Sequence, residues 1–154
     1  MLKTIEELLD HMLIGVYLYG SALMGGLRTN SDVDILAATN RDLSESTRKN
    51  LTDRLMLISG KVGNKNAIRP LEVTVINQND VVPWRYPPKY EFLYGEWLRE
   101  QFEKGEIPKP TYDPDLTILI AQARINSMNL SGPIATEVFE PVPITDIRRA
   151  IKDS

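Results

Sequence analysis

The sequence contains no cysteine and only one histidine, His11, among its 154 residues. These absences exclude disulfides, thiolate metal sites, a cysteine nucleophile and a zinc site built from several histidines. No apolar run approaches the roughly 18 residues of a membrane-spanning helix. The formal net charge of −3 argues against a protein that grips nucleic acid by bulk positive charge. We therefore expect neither a membrane nor a nucleic-acid partner, and the lack of cysteine fits a reducing cytoplasm.

Hydrophobic periodicity predicts alternating helices and strands. Helices are expected over 4–13, 44–57, 90–104, 113–128 and from 143 onward, and strands over 14–20, 31–39 and 68–77. This order is typical of an α/β or α+β domain with a small sheet flanked by helices. The last helix stops without a glycine cap, which favours a truncated chain over a helix that frays at a natural terminus.

Two aspartates stand one residue apart in the stretch YGSALMGGLRTNSDVDIL, residues 19–36. On a strand, residues i and i+2 point to the same face, so Asp32 and Asp34 share a face. Two such carboxylates repel each other unless a positive charge lies between them. Mg²⁺ prefers one or two carboxylates together with substrate phosphates, so the pair predicts a magnesium site.

A third acid, Glu72, interrupts the apolar strand LEVTVI. If the two strands are neighbours, Glu72 converges with Asp32 and Asp34 on one spot of the sheet. Glu72 is then either a further metal ligand or a general base that takes a proton from an attacking hydroxyl. Either acidic motif alone most often marks a solvated surface, but the combination is more specific.

The Gly-Ser pair before the aspartates has the properties of a phosphate site. Gly20 permits a turn without a Cβ in the way. Ser21 opens a turn whose free N–H groups can point at an anion, and the hydroxyls of Ser21 and Ser31 can donate further hydrogen bonds.

These motifs resemble the nucleotidyltransferase superfamily, whose fold is shared with DNA polymerase beta. Within it, LYGSALMGGLRTNSDVDIL, RPLEVTVI, VVPWRYPP, YGEWLRE and TDIRRAIKDS resemble the bacterial aminoglycoside nucleotidyltransferases, notably those that act on spectinomycin or streptomycin. The resemblance implies transfer of AMP from ATP to a drug hydroxyl, with release of pyrophosphate. It also implies Mg²⁺ as cofactor, with two ions, and a location in the bacterial cytoplasm.

The resemblance also assigns roles to residues. Asp32 and Asp34 match Mg²⁺ ligands, and Glu72 matches the proposed catalytic base, which can also contact metal and drug. The residues matched to ATP binding are Gly20, Ser21, Ser31 and Asp32. Trp97 matches a tryptophan lining the drug site, although a helix aromatic packed in the core is an equally good interpretation. Glu96, Trp84 and Arg85 are weaker candidates.

The family carries a helical domain after its nucleotidyltransferase domain. We therefore expect residues 1–154 to form the nucleotidyltransferase domain alone, with weak or no activity by itself. The full-length form would be a monomer, and the fragment could dimerise. Two alternatives stay open: dual streptomycin and spectinomycin activity, and a stand-alone module that needs a separate helical partner protein.

Overall fold

Helices and strands alternate along the chain in the computed structural model, which describes residues 1–20, 32–60 and 69–154. The strands are β1 (Leu13–Tyr19), β2 (Val33–Thr39), β3 (Leu71–Asn77), β4 (Lys89–Tyr90), β5 (Phe92–Tyr94), β6 (Thr111–Tyr112) and β7 (Met128–Ser131). The helices are α1 (Leu2–Leu9), α2 (Glu45–Ile58), α3 (Arg99–Glu103), α4 (Asp115–Ile125), α5 (Ala135–Val138) and α6 (Ile144–Asp153). Within the described ranges, no helix has both the length and the apolar character needed to cross a bilayer.

The described strands form a five-stranded mixed sheet in the order β5-β3-β2-β1-β7, beside a small β4-β6 ribbon. β2 and β3 are parallel, whereas β1 is antiparallel to its neighbours β2 and β7, and β5 is antiparallel to β3. The predicted class, a small mixed sheet flanked by helices, is confirmed. Asp34 lies opposite Glu72 on one side and opposite Tyr19 on the other, so three neighbouring strands place these residues in one row.

Both faces of the sheet are covered by helices, because apolar residues line each of them. One face packs on α1 and α2 through buried Val16, Ile35, Ala37, Val73 and Val75. The other face packs on α4 and α5 through buried Tyr17, Leu36, Ala38 and Ile76. Asp34 shares this second face with Leu36, so its face is polar only at one end of the strands.

The prediction of a helix over 90–104 was wrong for the first half of that segment. Residues Phe92–Tyr94 pair with β3 as an edge strand, and Phe92 and Tyr94 are fully buried while Leu93 is not. This alternation has the period of a strand, which here outweighs helical propensity. The chain turns helical only after Gly95, through a 3₁₀ turn at Glu96–Leu98 and then α3. Tyr94 stacks on Phe102 with ring centroids 5.2 Å apart, which ties the strand to the helix.

The helix expected over 113–128 ends early, at Ile125. Residues Met128–Ser131 instead form β7, an edge strand that pairs with β1. The helix over 44–57 is confirmed within one residue at each end. Its N-terminus is set by Ser44, whose hydroxyl accepts a hydrogen bond from the Thr47 N–H at 3.1 Å.

Candidate active site

The structure brings the three predicted carboxylates together. Asp32, Asp34 and Glu72 each offer an oxygen atom, and these atoms all lie within 4.8 Å of one another. The parallel pairing of β2 with β3 causes this, because it sets Asp34 directly beside Glu72. Asp32 precedes β2 by one residue, so it reaches the same spot from the loop side. All three side chains are half-buried.

The crowding of these acids shifts their proton affinities. Burial raises the pKa of Glu72 from its ordinary 4.5 to about 8, helped by its hydrogen bond to Asp34 and by the charges of Asp34 and Asp32. Burial also raises the pKa of Asp34, although the hydrogen bond from Glu72 partly opposes the rise. The pKa of Asp32 is raised by burial and by the nearby charge of Glu96. The three acids cannot all ionise comfortably without a compensating positive charge.

A divalent cation fits this donor set. The site offers three hard oxygen ligands, which is the chemistry that Mg²⁺ selects. Burial first, and the neighbouring carboxylates second, penalise the ionised forms of these acids, and a bound cation would offset both penalties. Asp32, Asp34 and Glu72 are therefore the residues that would hold it.

Gly20 lies directly against the Asp34 carboxylate. Its φ of +81° is in the left-handed region, and a Cβ built there would collide with the Asp34 side chain. The neighbouring Tyr19 is buried beside Asp34 and Glu72, and burial together with their charges raises the pKa of its phenol. Tyr19 at the end of β1 and Gly20 after it are thus both placed against Asp34. The other two residues predicted to contact ATP, Ser21 and Ser31, lie outside the described residues.

A cleft of about 160 Å³ opens beside Glu72. The indole of Trp97 lines it and is 55% exposed, so the interpretation of Trp97 as a core aromatic was wrong. Trp97 and Glu72 therefore face one cavity, although the sequence separates them by 24 residues. None of the described lining residues is basic; they are Glu72, Thr74, Tyr90, Leu93, Trp97, Asp113, Asp115, Leu116 and Leu119.

Sequence reasoning missed part of this cleft. Asp113 and Asp115 were interpreted only as the start of a helix, and the Asp113 carboxylate does accept the Asp115 N–H at 2.9 Å. Both residues also line the cleft. Tyr90 was missed because it was assigned to a helix, whereas it belongs to the two-residue strand β4. An acidic pair at a helix start is common, so the sequence held no signal for its place beside Glu72.

Glu96 has a structural role. Its buried carboxylate accepts hydrogen bonds from the Tyr94 hydroxyl and from Arg99 Nε, both at 2.6 Å. Burial alone would raise the pKa of Glu96, but the hydrogen bonds from Arg99, Ser59 and Tyr94 lower it below its ordinary value. This ion pair fixes the turn that carries Trp97. Of the other weak candidates, Trp84 donates through Nε1 to Asp146 at 2.8 Å, away from the cleft.

Comparison with known proteins assigns the class that the fold and the carboxylate site suggest. The family model described as polymerase beta, nucleotidyltransferase matches residues 3–82, which include β1, β2, β3 and all three clustered acids. The chain therefore belongs to the polymerase beta-type nucleotidyltransferase family.

Two relatives with named activities match nearly the whole chain. A spectinomycin 9-adenylyltransferase of Staphylococcus aureus is 61% identical over 153 residues, which are 99% of this chain and 59% of that protein. An aminoglycoside (3'')(9) adenylyltransferase of Escherichia coli is 41% identical over 150 residues, 97% of this chain and 57% of that protein. The chain thus spans about three fifths of the length of these relatives.

A solved structure is similar over the same span. The spectinomycin adenylyltransferase of Enterococcus faecalis, crystallised with ATP and spectinomycin, superposes with a TM-score of 0.95 at 40% identity. The match covers 99% of this chain and 62% of that one. The fold described above is therefore that of the corresponding part of an aminoglycoside nucleotidyltransferase.

Proposed function

We propose that this chain is the nucleotidyltransferase part of an enzyme that transfers AMP from ATP to a hydroxyl of spectinomycin. The observation that carries the proposal is the convergence of Asp32, Asp34 and Glu72 beside an acidic cleft that contains Trp97. Relatives named for this activity are 61% identical to the chain. The Enterococcus faecalis enzyme, which superposes on it, was crystallised with ATP and spectinomycin.

In this proposal Asp32 and Asp34 hold Mg²⁺, and Glu72 contacts metal and acceptor. When bound, the ion supplies charge neutralisation for the phosphates of ATP. Gly20, Ser21 and Ser31 are assigned to the phosphates, on the basis of the resemblance alone for the two serines. The resemblance also suggests a second Mg²⁺ ion.

Glu72 is the proposed proton acceptor. It lies on the wall of the cleft, where an acceptor hydroxyl can reach its carboxylate. Burial raises the pKa of Glu72, and a cation held beside it would favour the ionised carboxylate that a general base needs. The hydroxyl oxygen then attacks the α-phosphorus of ATP and forms the new P–O bond, while the bond to the pyrophosphate oxygen breaks. The chain's contribution is mainly the positioning of these groups and the matching of their charges.

The cleft suits a cationic ring-shaped acceptor. Glu72, Asp113 and Asp115 supply negative charge, which attracts the amino groups of an aminocyclitol, and Trp97 and Tyr90 supply flat apolar surface. Spectinomycin is the acceptor we propose first. Dual activity on streptomycin is a second candidate, since an aminoglycoside (3'')(9) adenylyltransferase is 41% identical to the chain.

We further propose that residues beyond this domain complete the acceptor and triphosphate sites. The chain spans 59% of the Staphylococcus aureus relative, and the family resemblance puts part of both sites in a helical domain. A monomeric full-length enzyme in the bacterial cytoplasm stays a prediction, as does dimerisation of the fragment.

A chimera tests the proposal without depending on the activity of the isolated domain. Residues 1–154 replace the matching segment of the Staphylococcus aureus enzyme, and pyrophosphate release is measured with ATP, Mg²⁺ and spectinomycin, streptomycin or kanamycin. We expect release with spectinomycin and none with kanamycin. Release with streptomycin as well would select the dual activity. A folded chimera that releases no pyrophosphate with any of the drugs would refute the proposal.

A further inference from the structure

A second cluster of carboxylates lies away from the candidate active site. Asp42, Asp80 and Glu91 each offer an oxygen atom, and these atoms all lie within 4.8 Å of one another. Asp42 follows β2, Asp80 follows β3, and Glu91 lies between β4 and β5. Along β3 the distance from Glu72 to the end at Asn77 is roughly 16 Å, so the two clusters occupy opposite ends of the parallel strands.

Two oxygen atoms of this second cluster are buried without a hydrogen-bond partner among the described residues. They are Glu91 Oε2 and Asp80 Oδ2. The Glu91 side chain is only 1% exposed, and its other oxygen accepts the Leu43 N–H at 2.8 Å. Leaving a buried carboxylate oxygen unsatisfied is costly, which makes these two atoms evidence for a missing positive partner.

Lys89 only partly supplies that partner. Its Nζ lies 3.6 Å from Asp80 Oδ2 and 3.6 Å from Glu91 Oε2, beyond hydrogen-bonding distance. In the described part of the chain, it is the one cationic group within 4.0 Å of these carboxylates. Three carboxylates and one ammonium leave a formal charge of −2. That remainder equals the charge of one divalent cation.

We propose that Asp42, Asp80 and Glu91 form a structural site for a divalent cation of calcium size. Ca²⁺ binds oxygen ligands at about 2.3–2.6 Å, so ligands on opposite sides of one ion stand up to about 5 Å apart. The oxygen atoms of the cluster meet that limit. Mg²⁺ needs a tighter shell and would keep more of its waters. The Lys89 side chain is 22% exposed and can move its ammonium toward solvent when the ion enters.

Such an ion would join the connections after β2 and β3 to the β4–β5 segment. Lys89 and Tyr90 form β4, and Tyr90 lines the cleft beside Glu72. The ion would therefore stabilise the wall of that cleft without touching the reacting groups. This role does not depend on which acceptor the enzyme uses.

Calorimetric titration with Ca²⁺ tests the proposal on the full 154-residue chain. The starting variant is Asp34→Asn, which weakens the first cluster as a competing site. We expect one Ca²⁺ per chain in Asp34→Asn and at least tenfold weaker binding after Glu91→Gln is added. Asp53→Asn removes an exposed acid elsewhere, in an ion pair with Lys49, and should leave Ca²⁺ binding unchanged. Absence of Ca²⁺ binding to Asp34→Asn, or equal binding after Glu91→Gln, would overturn the proposal.

Two further variants in the Asp34→Asn chain keep the test decisive if Glu91→Gln does not fold. Asp42→Asn removes the exposed ligand of the cluster and should weaken Ca²⁺ binding severalfold in a folded protein. Lys89→Met removes the competing ammonium, so it should tighten Ca²⁺ binding by about tenfold. Weaker Ca²⁺ binding in Lys89→Met, or unchanged binding in both variants, would overturn the proposal.

Discussion

At the scale of single residues, the three acids of the candidate active site cost stability when no cation is present. Glu72 binds its proton more tightly in the folded chain, where its pKa is raised to about 8, than in the unfolded chain, where it stays near 4.5. The folded state therefore holds the extra proton between these values, and stability falls as pH rises through this window. The loss of stability is absent below the unfolded-state pKa of 4.5 and complete above the folded-state pKa of about 8.

We predict from this that urea unfolding in EDTA shows wild-type stability falling between about pH 4.5 and 8 relative to Glu72→Gln. Glutamine does not titrate, so the difference between the two proteins reports the titration of Glu72 together with its effect on the hydrogen-bonded Asp34. Adding Mg²⁺ should reduce the wild-type loss. A difference that is flat across this pH range would contradict the raised pKa of Glu72.

Gly20 is the second residue whose role can be isolated. Gly20→Ala should reduce stability by about 2 kcal/mol through its left-handed backbone, and should also weaken Mg²⁺ binding because the new Cβ displaces the Asp34 carboxylate. Gly105→Ala is the matched control, since Gly105 has a φ of +89° but open space where its Cβ would stand. Isothermal titration should show weaker Mg²⁺ binding for Gly20→Ala only; equal binding by both variants would count against the contact.

At the scale of elements, the turn between β5 and α3 determines where Trp97 stands. Arg99 donates to Glu96 at 2.6 Å and to the carbonyl of Met56 at 3.1 Å, which ties α3 to α2. The Arg99 side chain is 16% exposed and that of Glu96 is 2% exposed, so removing the arginine leaves a buried charge without its partner. This ion pair should be worth far more than a surface one.

Arg99→Met should therefore lower the free energy of unfolding by about 3 kcal/mol. Lys49→Met is the matched control, because Lys49 pairs with Asp53 at 2.9 Å on the exposed face of α2 and should cost about 0.5 kcal/mol or less. Denaturant titration of both variants gives the comparison. Similar losses for the two would show that the Glu96–Arg99 pair has no special structural role.

Gly95 provides the second test at this scale. A Cβ at position 95 would collide with the indole ring of Trp97, and this half-exposed side chain would have to move aside. We predict that Gly95→Ala raises the KM for spectinomycin in the chimera severalfold and leaves the KM for ATP unchanged. If the effect acts through Trp97, adding Gly95→Ala to Trp97→Ala should cause no further rise in the KM for spectinomycin. Additive changes in this KM would show that Gly95→Ala does not act through Trp97.

At the scale of the whole molecule, the sheet and its acids were predictable from the sequence because local signals agreed. The alternation in β2 and β3 and the glycine after β1 all indicated strands with a polar site at one end of the sheet. The register of Asp34 with Glu72 followed only if those strands were neighbours, and the structure shows that they are. The place of Asp32 in the site could be predicted once β2 and β3 were taken as neighbours.

The cleft was harder to predict because long-range packing builds it. Tyr90 and Trp97 fell in a segment whose helical propensity is overruled by pairing between β5 and β3. Asp115 enters the cleft only because α4 packs on the second face of the sheet. Edge strands such as β7 carry weak periodic signals, since their pairing depends on a neighbour far along the chain. The roles of Ser21 and Ser31 rest on the resemblance alone.

The proposed function requires that Asp32, Asp34 and Glu72 form the metal site of an AMP transferase. The most direct test is mass spectrometry of spectinomycin after incubation with ATP, Mg²⁺ and the chimera, with and without Asp34→Asn. We predict adenylylated spectinomycin from the parent chimera and at least a hundredfold less from a folded Asp34→Asn variant, because one ligand of the site is lost. Equal product from the two proteins would contradict the central claim.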